Sequence, residues 1–146
     1  MCNELHRNQV TDAQTTRENL RDAAYHEAGH VVVAQFLGLT IREVEIEEDG
    51  SGRANLGSAE HLPLVDQIAI CAAGIEAQEL FNCPMYQHAA LGDYLKVREL
   101  LGGLTDAESY EYRQDGYLRA LEILKGRLPE IEALAHQLFH QRRIAA

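Results

Sequence analysis

His26, Glu27 and His30 lie together in the stretch AYHEAGHVVVAQ, an otherwise small and apolar run. At about 100° per helical residue, His30 falls near 40° and Glu27 near 100° from His26, so the three share one sector of a helix. Imidazoles at i and i+4 stand one turn apart and can hold one Zn²⁺ at about 2.0–2.1 Å. The intervening carboxylate is too far round to be the natural third ligand. It is placed instead to take a proton from water activated by the metal and to pass it to a leaving amine. Gln35 apart, the segment from Ala23 to Leu37 is nearly all apolar or small and should be packed on most sides. Unpartnered ionisable groups there would cost several kcal/mol, and a bound cation satisfies them. Gly29 costs this helix about 1 kcal/mol relative to alanine, which implies a close approach to its backbone.

A catalytic zinc needs a third protein ligand and an open position. His61, His88, Asp93, Glu76 and Glu79 are the candidates, and spacing does not choose among them. Asp66 and Asp93 fall near expected helix starts, where capping or a dipole contact is the ordinary use of aspartate. Glu76 and Glu79 share a helix face at i, i+3, suited to ligation, to supporting a ligating histidine or to plain solvation.

The elements that must position these groups are mostly helical. Residues 1–14 are polar and aperiodic and read as a flexible tail, leaving 15–146 as a single domain. Thr15 to Glu18 has capping-box spacing, predicting a first helix from about Thr16 to Leu37 closed by Gly38. Val44 and Ile46 alternate with Glu43, Glu45 and Glu47 before Asp49-Gly50-Ser51-Gly52, a short hairpin with an acidic, solvated face. Pro63 opens a second helix with Val65, Ile68, Ala69, Ala72 and Ile75 at helical spacing. A third runs from about Gly92 to Leu101. A fourth starts at the capping box Thr105–Glu108 and carries Tyr110, Tyr117, Leu121 and Leu124 on one stripe. Pro129 opens a fifth, with Ile131, Leu134, Ala135, Leu138 and Phe139 on its inner face. The expected fold is therefore mostly α (α+β): five helices, a small β-hairpin or sheet, and the zinc site on the first long helix.

A net charge of −10 with only 13 Lys and Arg argues against nucleic acid and anionic membrane surfaces as partners. No apolar run approaches the roughly 20 residues of a membrane span, and MCNELHRNQV lacks a signal-peptide core, so a cytoplasmic protein is expected. Cys2, Cys71 and Cys83 have no C-x-x-C spacing and read as free thiols.

The stretch AYHEAGHVVVA resembles the zinc-binding helix of the FtsH-type peptidases, the proteolytic domain of membrane-anchored AAA proteases. That family reads H-E-x-G-H, usually after Ala-Tyr, and this chain supplies Ala24, Tyr25, His26, Glu27, Gly29 and His30. DQIAICAAGIEAQELF is similar to the family helix ending Gly-Gly-Arg-x-Ala-Glu-Glu, with Gly74, Ala77 and Glu79 kept, Ile75 at the Arg and Gln78 at the first Glu. HAALGDYLKVRELL stands where the family has Gly-x-x-Asn-Asp, with Gly92 at the Asn, and the resemblance makes Asp93 the third ligand. ALEILKGRLPEIEALAHQLF resembles the last helical pair, so the likeness spans roughly residues 17–142. The family's substrate-pairing edge strand corresponds to Arg53, Ala54, Asn55, Leu56 and Gly57, where main-chain bonds would bind extended polypeptide. The chain has no Gly-x-x-x-x-Gly-Lys loop, AAA module or membrane span, so the resemblance implies a stand-alone, ATP-independent peptidase domain. A separate ATPase, or further copies of the chain, are the partners it would call on.

The expectation is a zinc metalloendopeptidase acting on unfolded or extended polypeptides, with one Zn²⁺ per chain. The alternatives are a non-catalytic zinc-binding adaptor or regulator, and a different H-E-x-x-H regulatory protease.

Overall fold

Between Cys2 and Ala28 the chain has neither glycine nor proline, so nothing stops a helix from propagating through it. Helix α1 (Cys2–Phe36) accordingly begins at Cys2, and the Thr15–Glu18 spacing lies inside it rather than at its start. The computed structural model describes residues 2–84 and 87–145, the side chains of 2–11 and 87–89 excepted. Helix α1 ends as expected at Gly38, whose φ of 84° reverses the chain while Leu39 N–H donates to the Ala34 carbonyl.

Strands β1 (Ile41–Ile46) and β2 (Gly52–Leu56) form the expected hairpin. A third strand, β3 (Arg143–Ala145), pairs antiparallel with β1 on its other side, giving the order β2-β1-β3. Sequence reading missed β3, because three residues are too few to display an alternation. Its presence corrects the expectation for the acidic face. Glu43 and Glu45 are half-buried rather than solvated, since Arg143 from β3 pairs with Glu43 and Arg53 from β2 with Glu45, the latter at 2.6 Å.

Helix α2 (Leu64–Leu80) follows Pro63 and is the central helix, packed against α1, α3 and α4. Helix α3 (Gln87–Leu100) starts five positions before the expected Gly92, so Asp93 sits within the helix and does not cap it. Helix α4 (Asp106–Lys125) has the predicted capping box, with Glu108 N–H donating to Thr105 Oγ1 at 3.2 Å. Its inner face, however, is Gly116, Ala120, Ile123 and Leu124, whereas Tyr110 is exposed. Close packing on α2 demands small residues: a Cβ at Gly116 would collide with the Ile68 side chain. Helix α5 (Leu128–Gln141) buries Ile131, Ala135 and Leu138 against α1, on the face read from its periodicity. Among the described residues, no helix is long and apolar enough to cross a membrane.

Candidate metal centre

Two glycines, one from each helix, bring α1 and α2 together at the histidines. A Cβ at Gly29 would strike the Ala73 carbonyl and lie 2.6 Å from Ala77 Cβ. A Cβ at Gly74 would lie 2.5–2.6 Å from ring atoms of His26 and His30. The close approach inferred at Gly29 is therefore α2 itself. At the far end of the crossing Tyr25 stacks on Phe81 with ring centroids 4.5 Å apart, and Arg21 donates to the Phe81 carbonyl, pinning the helices in register.

Each histidine is oriented by a bond on its Nδ1. His30 Nδ1–H donates to the Ile70 carbonyl at 2.6 Å. His26 Nδ1–H donates to Gln78 Oε1 at 2.7 Å, and the amide orientation follows because Gln78 Nε2 donates to the Pro84 carbonyl at 2.8 Å. With both Nδ1 atoms protonated, the two Nε2 lone pairs aim inward. They meet 3.1 Å apart, and Asp93 Oδ2 lies 2.9 Å from one and 3.1 Å from the other.

Three acceptor atoms in mutual contact repel one another unless a proton or a cation lies between them. In the metal-free protein a proton serves. Burial pulls the His30 pKa down, but the hydrogen bond and charge of Asp93, assisted by Glu27, outweigh it and hold the imidazole at about 9. Burial pushes the Asp93 carboxyl up, yet bonds and charge from His26 and His30 carry it well below the usual carboxylate range. The donor set of two imidazoles and one carboxylate fits zinc. Tetrahedral bonds of about 2.0–2.1 Å place ligand atoms about 3.3 Å apart, so the cluster needs to open by only a few tenths of an ångström. Among the described residues, His26, His30 and Asp93 form the one cluster of three or more such side chains able to hold a metal.

Glu27 is 4% exposed beside this cluster, its pKa raised by burial against the pull of His30 and His26. Gly52 at the head of β2 makes room for it, since a Cβ there would lie 3.0 Å from Glu27 Cγ. The cluster lies at the foot of an open cleft of about 260 Å³, walled by β2 on one side and by Gly92, Asp93 and Lys96 of α3 on the other. Arg53, Ala54 and Leu56 line it; Asn55 and Gly57 do not, and Gly57 N–H instead donates to the Thr40 carbonyl at 2.7 Å. On the hairpin, Glu47 N–H bonds Ser51, whereas Ile46 N–H turns the other way to Arg142. Alternation down the ladder therefore aims the main-chain groups of Gly52 and Ala54 away from β1, toward the free edge of β2.

The remaining ligand candidates lie elsewhere. His61 is exposed before α2, Glu79 is exposed, and Glu76 is half-buried with a pKa raised by burial and by Glu79. None of these three lines the cleft. The His88 side chain is outside the described residues. Asp66 sits in the first turn of α2 and pairs with Arg119 of α4 at 3.2 Å.

Sequence reading missed three contributors. Gln78 and Gly74 stand four positions apart on α2, the spacing that turns both toward one neighbour, and the family resemblance marked both positions without giving them a part in the site. Lys96 follows Asp93 by one helical turn, so naming Asp93 already pointed to it. No protein-family model matches the chain, and no curated protein matches it.

Proposed function

We propose that the chain is a zinc-dependent metalloendopeptidase of the FtsH-like kind, with zinc held by His26, His30 and Asp93 and extended polypeptide as substrate. The observation that carries this reading is the meeting of two imidazole Nε2 atoms and one carboxylate oxygen within 3.1 Å, with a buried glutamate beside them on an open cleft. A purely structural metal site has no use for that glutamate. Held by His26, His30 and Asp93, zinc would supply Lewis acidity. Glu27 takes the proton from the attacking water onto its carboxylate and returns it to the amine that leaves. Its burial beside the cluster keeps bulk water from competing for that proton. The outward main-chain groups of Gly52 and Ala54 bind an extended peptide as an added strand, which tolerates many sequences. A cytoplasmic setting belongs to this reading, in keeping with Cys71 and Cys83 as free thiols.

The test is metal content and cleavage of an unfolded protein by wild type, Glu27→Gln and Asp93→Ala. Wild type should cut with zinc and stop with a chelator. Glu27→Gln should keep one zinc per chain and lose at least 10²-fold in rate, and Asp93→Ala should lose the zinc. Full cleavage by Glu27→Gln overturns the mechanism, and one tightly bound zinc in a wild type that cuts nothing favours an adaptor.

A further inference from the structure

The cleft has two cationic side chains on its walls, and they differ in one respect. Arg53 is committed to Glu45 at 2.6 Å, whereas Lys96 makes no ion pair or hydrogen bond with any described residue. Lys96 follows Asp93 by one helical turn, so it stands on the same wall as the third ligand. It also lines an adjoining groove in which Glu99 is the acidic side chain, and Ile70, Cys71 and Lys96 border both spaces. An extended chain lying along β2 and continuing past the metal centre would therefore run alongside Lys96.

The surroundings make this ammonium conspicuous. The chain carries a net charge of −10, a field that repels acidic polypeptides at long range. Glu27 and Asp93 deepen the negative potential within the cleft, and Lys96 opposes it where substrate must enter. We propose that Lys96 is a specificity-determining residue that receives a substrate carboxylate beside the scissile bond. The carboxylate is either an acidic side chain or the α-carboxylate of a chain end. This assignment rests on the peptidase reading above.

Matched peptides distinguish the two sources: one with an internal Glu and a blocked C-terminus, one with a free carboxylate at the same distance, and one neutral and blocked. Lys96 is exposed, so wild type should favour one of the carboxylate peptides over the neutral one by up to about fivefold in kcat/KM, the scale of an exposed ion pair. The preference should reside in KM and shrink with added salt. Lys96→Ala should erase it, Lys96→Arg restore it and Lys96→Glu invert it. Binding of the same peptides to the zinc-loaded Glu27→Gln protein, with and without Lys96→Glu, reads the same preference without cleavage. Equal discrimination by wild type, Lys96→Ala and Lys96→Glu, with all peptides still cut, overturns the role of Lys96 alone. Failure of wild type to cut any peptide, with the carboxylate preference present in binding, overturns the peptidase reading and leaves the recognition by Lys96 standing.

Discussion

If His26 and His30 ligate zinc as proposed, each ring needs its second nitrogen held, and the two holders differ in kind. Ile70 offers a main-chain carbonyl that no substitution at position 70 removes, whereas Gln78 offers a side-chain amide that can be deleted. Gln78→Leu should leave His26 Nδ1–H without its acceptor and free the ring to turn, lowering zinc affinity by about 10–100-fold in a competition titration with a chelating dye. Gln78→Glu keeps an acceptor and should recover most of the loss; equal affinity in Gln78→Leu and wild type would remove Gln78 from the site. The same asymmetry explains what could be read from the sequence. His26, Glu27 and His30 were legible because one helical turn suffices to bring them together. Asp93 is 63 residues from His30, and residue types alone left it level with His61, His88, Glu76 and Glu79 until the family resemblance selected it. Gln78 and Gly74 matter only through the face that α2 turns toward α1, which no local pattern encodes.

At the scale of elements, helix crossings position the site, and small residues set how close they come. Gly29 and Gly116 mark two such crossings, α1 on α2 and α4 on α2, and only the first touches the histidines. Alanine at either gains about 1 kcal/mol of helix propensity but overpacks the contact, which costs about 1–3 kcal/mol. Both variants should unfold at lower urea. Gly29→Ala should in addition lose zinc affinity, because moving α1 from α2 separates His30 from the Ile70 carbonyl, while Gly116→Ala should retain it. Equal zinc affinity in the two variants would show that the crossing at Gly29 does not position the ligands. The five helices and the hairpin were readable from apolar spacing, turn glycines and capping residues. The misread details share a cause. The face of α4 is built from Gly116 and Ala120, which an apolar-stripe reading passes over in favour of Tyr110. Strand β3 exists because β1 offers it an edge, and the early starts of α1 and α3 follow from the lack of any stop signal after Cys2 and from the tolerance of Gly92 inside a helix.

Over the whole molecule, the proposed reading has proton and zinc competing for one buried point, so the fall of stability with pH in the metal-free protein should be offset when zinc is bound. In the metal-free protein the His30 pKa is raised from 6.5 to about 9. A raised histidine stabilises the fold fully below pH 6.5, and that contribution fades as pH rises through 9, a span worth on the order of 3 kcal/mol. Glu27, also raised, acts with the same sign. The thermal midpoint measured with a chelator should therefore fall by several degrees between pH 6.5 and 9. Zinc at this point would displace the shared proton, so its apparent affinity should climb by up to about tenfold per pH unit over the same window. Because a ligand specific to the folded state stabilises it by RT ln(1 + [L]/Kd), the increment in midpoint at fixed free zinc should grow with pH. The zinc-loaded and metal-free curves should thus diverge from pH 6.5 toward 9. Parallel curves would mean that no proton is displaced on binding, and hence that the metal does not sit among His26, His30 and Asp93.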